Sequence, residues 1–384
     1  MKYIQFLACV MSTFAVASEI DARKCQDQGE PLTCYSPAYN APAIISVNPK
    51  ERKAGSPNIN LFVDASFTYW WAGEDGLTLA ERTVIDPTTG VIYSTPKTSV
   101  LTQSFSYQPG FKIGTGVVGY QEWTVFGEYT WFRGKTHKES GPLSGTSPTA
   151  TRLLGDAATS GNNVWSVDGW FLQVTDEGKP LSGPAISSSW DLDLDLIDLL
   201  AGRPFYQGRH LSISPFGGLR SALIRQSINL KLTESPDTTG TLTPQPIESR
   251  NHSNSWSIGP MGGCEVKCLF PMGFRLEGDF AASLLYTRYT SIKHSEDVAF
   301  TDYGPGPYTA SSKYTCVRPI AEAGLGIGWG SYLCHHDYHI DCFAGYDFKI
   351  FWAQNMIRQL LADRSSSAGD LFLHGLTVTA RFDF

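Results

Sequence analysis

The chain has 384 residues, a net charge of −7 and a pI of about 5.6, a balance that argues against a nucleic-acid partner. Glycine is generous at 37 residues, aromatics make up 12% and charged residues only 17%, a mix that suits strands and turns.

The first segment, MKYIQFLACVMSTFAVAS, carries one basic residue (Lys2), an apolar run over Tyr3–Phe14 and the small-residue pattern Ala15-Val16-Ala17. It predicts a signal peptide over residues 1–17, cut before Ser18. No later stretch holds about 18 apolar residues, so no spanning helix is expected, which leaves a barrel of alternating strands open. Residues 18–57 are rich in Pro, Asn and Lys and hold Cys25 and Cys34, and read as a periplasmic lead-in.

From residue 58 onward, segments that alternate apolar with polar or small residues recur to the last position. Ile59–Ala72 sets Leu61, Val63, Ala65, Phe67, Tyr69 and Trp71 against Asn60, Asp64, Ser66 and Thr68. Further segments follow at Phe105–Val118, Glu122–Arg133 and Ser187–Leu200. In the last of these Trp190, Leu192, Leu194 and Leu196 oppose Asp191, Asp193 and Asp195. The remaining six are His210–Arg225, Asn254–Val266, Gly273–Tyr286, Tyr314–Trp329, Tyr338–Trp352 and Asp370–Phe384.

The gaps between these segments alternate in length: 73–104, 134–186, 226–253, 287–313 and 353–369 are long, and those between are short. Long loops on one side and short turns on the other are how outer-membrane barrels are built. The segments also exceed the roughly 5–6 residues of an average strand and reach the roughly 9–11 needed to cross a bilayer. The fold class is therefore all-β: a transmembrane, antiparallel, up-and-down β-barrel over residues 58–384, with long extracellular loops and short periplasmic turns. Ten strands are expected, and twelve if Val164–Val174 supplies a further pair. Trp70, Trp71, Trp131, Trp190, Trp256 and Trp352 fall near one level, and Trp123, Trp329, Phe382 and Phe384 near the other, as aromatic girdles would.

Charged residues on the lipid face cost roughly 2–4 kcal/mol near the midplane, so strand charges are expected to line the lumen. The acidic candidates are Asp64, Glu128, Asp191, Asp193, Asp195, Glu277, Asp279, Glu322, Asp341 and Asp347. The basic ones are Lys112, Arg220, Arg275, Arg318, Lys349 and Arg381. Such residues can line an open pore or join into a salt-bridged plug.

Several stretches resemble the pore-forming major outer-membrane proteins of Legionella and of chlamydia-related bacteria. INLFVDASFTYWWAGEDGLTLA resembles that family's first strand and loop, and GRPFYQGRHLSISPFGGLRSALI its mid-chain turn and following strand. AEAGLGIGWGSYL, HIDCFAGYDFKIFWAQNM and LFLHGLTVTARFDF resemble its last three strands. The resemblance covers residues 58–384 and implies a single-chain barrel in the bacterial outer membrane that passes small solutes passively. Its partners would be outer-membrane lipid, a second copy of itself and the outer-membrane assembly machinery. The alternation Leu376, Val378, Ala380, Phe382, Phe384 looks like the signal such machinery reads.

An exported chain meets an oxidising compartment, and seven cysteines follow the expected leader. Cys25, Cys34, Cys264, Cys268 and Cys334 are expected toward the periplasm and are candidates for disulfides, within the chain or between neighbours. Crosslinking there would make an envelope-stiffening structural protein, and the long loops would suit an adhesin; both stand as alternatives to the porin. No cofactor, metal or catalytic site is expected. CHHDYHIDC (Cys334–Cys342) reads as a turn followed by a strand whose His339 and Asp341 point inward, and no nucleophile or phosphate-binding motif is visible.

Overall fold

A computed structural model describes residues 60–85, 92–94, 100–119, 122–140, 162–167, 170–171, 181–183, 185–208, 210–233, 246–301, 304–333, 338–360 and 368–384. The expected leader and lead-in, with Cys25 and Cys34, lie outside the described residues, as does Cys334.

The strands, in chain order, begin with β1 (Asn60–Glu74), β2 (Thr78–Ile85), β3 (Ile92–Ser94), β4 (Val100–Thr102), β5 (Tyr107–Val118) and β6 (Thr124–Ser140). Next come β7 (Asn162–Val167), β8 (Leu181–Gly183), β9 (Ala185–Gly202), β10 (Tyr206–Gln207) and β11 (Leu211–Thr233). The last five are β12 (Ile247–Leu269), β13 (Phe274–Thr301), β14 (Gly304–Leu333), β15 (Tyr338–Asn355) and β16 (Gly369–Asp383).

Ten of these close an antiparallel barrel in the order β1-β5-β6-β9-β11-β12-β13-β14-β15-β16, with β16 pairing back onto β1. Each corresponds to one of the ten expected segments. The two-residue β10 adds to β11 at a short turn. β2, β3, β4, β7 and β8 form a second sheet. The described part of Val164–Val174 lies largely in β7, so it contributes no pair to the barrel wall.

The outward face is apolar and exposed along the middle of the wall. Leu284 is 57% exposed and Ile327 62%, which only a lipid surround makes favourable. The long-loop edge of this belt carries Trp71, Tyr107, Trp131, Trp256 and Tyr286; the short-turn edge carries Trp123, Phe274, Trp329, Tyr338, Phe382 and Phe384. Trp70 and Trp190, expected in the outer girdle, instead point inward and are buried. Leu376, Val378, Ala380, Phe382 and Phe384 face outward on β16 beside β1, and Arg381 and Asp383 face inward.

Four strands run well past the belt: β11 and β12 have 23 residues each, β13 28 and β14 30. Much of 226–253 and 287–313, expected as loop, is therefore wall. The alternation continues there with its polarity reversed. On β11, Ile224, Gln226, Ile228, Leu230 and Leu232 point inward and are buried, while Arg225, Asn229 and Lys231 point outward and are exposed. Water replaces lipid outside this part of the barrel, so the polar residues belong outside and the apolar ones inside.

What fills the inside is the second sheet and its connections. Leu77, Leu79, Trp165, Val167, Trp170 and Phe171 pack with the inward Trp70, Phe132, Trp190, Leu192, Leu194 and Leu196 in one buried cluster. Trp170 donates its indole N–H to the Thr78 carbonyl at 2.5 Å, and its own carbonyl accepts from Ser249 Oγ at 3.0 Å. Trp190 and Gln226 both donate to the Glu74 carboxylate at 2.7 Å. The long-loop half of the barrel thus has an apolar core held by a few buried polar bonds.

Candidate functional site

Below that core the interior changes character. A cavity of about 360 Å³ lies in the lumen, lined by nine carboxylates, seven Lys or Arg side chains and His339. Strand register sets much of this lining at one level. Arg220 of β11 stands opposite Asp198 of β9, Asp198 opposite Glu128 of β6, and Glu128 opposite Gly114 of β5. Gly114 is opposite Asp64 of β1, Asp64 opposite Arg381 of β16, and Arg381 opposite Asp341 of β15. The glycine has a steric role: a Cβ at Gly114 would lie 2.5 Å from Asp64 Oδ1, so the Asp64 carboxylate occupies the space a side chain would take.

Two ion-pair systems cross the interior. Arg220, 2% exposed, donates from Nε and Nη2 to the two Asp198 oxygens at 2.7 and 2.6 Å. It also bonds Glu322, three strands away, and Glu322 takes Lys349 Nζ at 2.7 Å. The second system joins Lys112 of β5 to Asp347 of β15 at 3.2 Å, with Thr377 donating to the same Asp347 oxygen at 2.7 Å. Lys112 and Lys349 both approach the Trp70 ring, 5.3 and 5.6 Å from its centroid, where the lumen meets the apolar core.

Nearer the short turns, Arg275 pairs with Asp341 at 2.5 Å and Glu277 at 2.7 Å, and Lys267 with Glu265 at 2.8 Å. Asp383 accepts from Arg381 at 2.6 Å and contacts His339 Nδ1 at 2.9 Å. Buried charges of this kind persist only when paired. Asp64 and Glu128 face the cavity and make no ion pair among the described residues.

Of the expected lining residues, Asp64, Lys112, Glu128, Arg220, Arg275, Glu277, Asp279, Glu322, Asp341, Asp347, Lys349 and Arg381 surround this cavity. Arg318 points inward but above it, 5.8 Å from the Tyr289 ring centroid and 2.9 Å from Met356 Sδ. Asp191, Asp193 and Asp195 do not line the lumen. They face outward, where Arg133 pairs with Asp193 at 3.3 Å and Asp195 at 3.0 Å, and Lys135 with Asp191 at 3.8 Å. Their part of β9 stands beyond the lipid belt, so the leucines between them turn into the apolar core instead.

Asp198, Glu265 and Lys267 also line the cavity, and none is among the expected residues. For Asp198 a signal exists in DLDLDLIDLL. Aspartate occupies 191, 193 and 195 and then 198, a phase slip at Leu196-Ile197 that marks where the belt begins. Cys264 and Cys268 are unpaired and lie on the outward face of β12 toward its short-turn end; Cys316 and Cys342 are also unpaired.

Among solved structures the chain is similar to the outer membrane protease OmpT from Escherichia coli, at 11% identity over 87% of this chain and 99% of that one, with a TM-score of 0.34. It is also similar to the Pseudomonas putida toluene transporter TodX, at 9% identity over 85% and 90%, TM-score 0.23. An anion-selective porin from Comamonas acidovorans matches at 9% identity over 85% and 99%, TM-score 0.14. No curated protein matches the chain. The family model described as Legionella pneumophila major outer membrane protein precursor matches residues 62–384, and the chain belongs to that family of bacterial outer-membrane barrels.

Proposed function

We propose that the protein is a channel for passive diffusion of small ions and hydrophilic solutes, with the charged lumen as its route and the inner sheet as a closure at the long-loop mouth. The observation that carries this reading is the lining of the cavity, where nine carboxylates and seven basic side chains replace the apolar packing found above. A lining of fixed charges offers a solute substitutes for its hydration shell, and its sign sets selectivity. The excess of acids, with Asp64 and Glu128 outside the ion-pair systems, supports a mild preference for cations. The buried cluster of Trp165, Trp170, Leu77 and Leu79 against the wall supports a low conductance that rises when this packing loosens.

The test is planar-bilayer recording of the purified, refolded chain. Small cation-selective steps are expected, and an absence of channel events at every voltage would remove the channel reading.

A further inference from the structure

A second charged feature lies on the outside of the wall, just beyond the aromatic belt on β11 to β14. Arg225, Arg288 and Lys313 are exposed and Lys293 half-buried on the outward side of these strands, and none makes an ion pair among the described residues. Register gathers them around Trp256: Leu223 stands opposite Trp256 and Trp256 opposite Arg288, while Arg225 stands opposite Asn254. Trp256 in turn contacts Tyr286, 6.0 Å between ring centroids, at the edge of the belt.

A β-bulge assembles the patch. The pairing of β13 with β14 shifts between Tyr289 and Ile292, and that of β12 with β13 shifts at Asn254/Ser255. Arg288 and Lys293 are five residues apart and in a regular strand would face opposite sides. The extra residue brings both outward, a common use of bulges to re-aim side chains. Lys313 lies across from the bulge, between Ser312 and Tyr314.

The neighbouring charges sharpen the contrast. Around the wall on β6 and β9, Arg133 and Lys135 are neutralised by Asp191, Asp193 and Asp195. Arg225 stands opposite Asp193, whose own ion pair is with Arg133. The other outward groups beside the patch are Ser227, His252, Asn254, Ser311 and Thr315, with no carboxylate among them. Glu248 and Asp297 lie farther from the belt and are engaged by Arg250 and Lys231. His252 is above the belt, and burial, with Lys293 second, holds its imidazole below the ordinary value, so it adds no fixed charge near neutral pH.

We propose that this patch binds the phosphorylated headgroup of an outer-leaflet lipid. The occupant follows from position and charge. The patch continues the lipid-covered belt without a break, and four cations lie where the headgroups of lipids on that belt must sit. Trp256 and Tyr286 pack on the acyl and glycosidic part while the cations take the phosphates.

The test measures binding of two probes to the full refolded chain in zwitterionic detergent: a diphosphorylated glycolipid (lipid A), and the same lipid with its phosphates removed. Native mass spectrometry reads the bound fraction. The intact chain should prefer the phosphorylated form by more than tenfold. Each cation removed should cost about fivefold, so R288Q/K293Q should abolish most of the preference. R288K/K293R should keep it, and R133Q/K135Q, on the neutralised face, should leave it unchanged. Equal binding of the two lipids by the intact chain overturns the proposal without any variant. So does a preference that survives R288Q/K293Q, or one that is lost equally in R133Q/K135Q. Displacement of the lipid by an equimolar amount of inorganic phosphate overturns it as well, since that would mark a soluble-anion site.

Discussion

Asp195 and Asp198 lie three residues apart on β9 and bond on opposite sides of the barrel wall. Asp195 accepts from Tyr129 Oη at 2.7 Å and Arg133 at 3.0 Å on the outside, whereas Asp198 holds Arg220 in the lumen. The two carboxylates differ in what surrounds them. Removing Asp198 leaves a guanidinium that is 2% exposed without its bidentate partner. Asp198→Ala is expected to cost about 3–5 kcal/mol, and Asp195→Ala under about 1 kcal/mol because its pairs are partly solvated. Urea unfolding in micelles, followed by the mobility shift of unheated samples, compares them; equal losses would contradict the assigned faces.

Selectivity offers a second test. Asp64→Asn combined with Glu128→Gln removes two of the three cavity carboxylates, Asp279 being the third, that make no ion pair among the described residues. The reversal potential under a potassium chloride gradient should move toward that of an unselective pore, with little change in stability. Glu322→Gln, by contrast, should destabilise the barrel, because Arg220 and Lys349 both depend on it.

The closure should respond to its own substitutions. Trp170→Ala deletes a side chain with no exposure, at a cost of about 3–5 kcal/mol to the upper core. The wall keeps its own hydrogen bonds, so the variant should still insert. Single-channel recordings should then show larger or longer openings than the intact chain, and unchanged records would separate the inner sheet from any gating role.

For the cysteines the expectation is chemical. Cys264 and Cys268 are four residues apart on one strand, about 13 Å at the usual rise, while a disulfide needs Cα atoms within about 7 Å. They cannot bridge each other in the folded wall. Both should label with a maleimide after unfolding without reductant, and Cys264→Ser with Cys268→Ser should leave the unfolding midpoint within about 0.5 kcal/mol. Protection of either thiol in the unreduced, unfolded chain would point to a bond with another partner.

The ten membrane crossings were legible because lipid enforces a simple rule: alternate residues must be apolar and every backbone group must be paired. Ile59–Ala72 and Asp370–Phe384 obey it over nearly their whole length, so their faces and their pairing read directly. The rule does not hold beyond the belt, where water lies outside and packed side chains inside. Leu192, Leu194 and Leu196 look like a lipid face when that boundary is ignored, and three aspartates then seem to line the lumen. The inner sheet was harder still. Ile92–Ser94, Val100–Thr102 and Leu181–Gly183 are three-residue strands that exist through pairing with β2 and β7, partners distant in sequence or themselves short, and so they leave no periodic trace. Arg220 was visible as a strand charge, but its partner three strands away was not, because register around a barrel emerges only when the sheet closes.

That closure rests on the pairing of β1 with β16, whose contacts are among the most distant in the sequence. Ser66 and Thr379 share a hydrogen bond at 2.8 Å across 313 positions, and Leu61 and Phe384 exchange backbone bonds at 3.1 and 2.9 Å. Until those bonds form, both strands present unpaired edges, and the ion pairs crossing the lumen lack a fixed frame. Folding should therefore be slow and end in one concerted step, since loop-closure entropy is spent before any seam bond repays it. A chain stalled at that point carries two sticky margins, and the time spent there, more than the finished stability, sets how readily it aggregates.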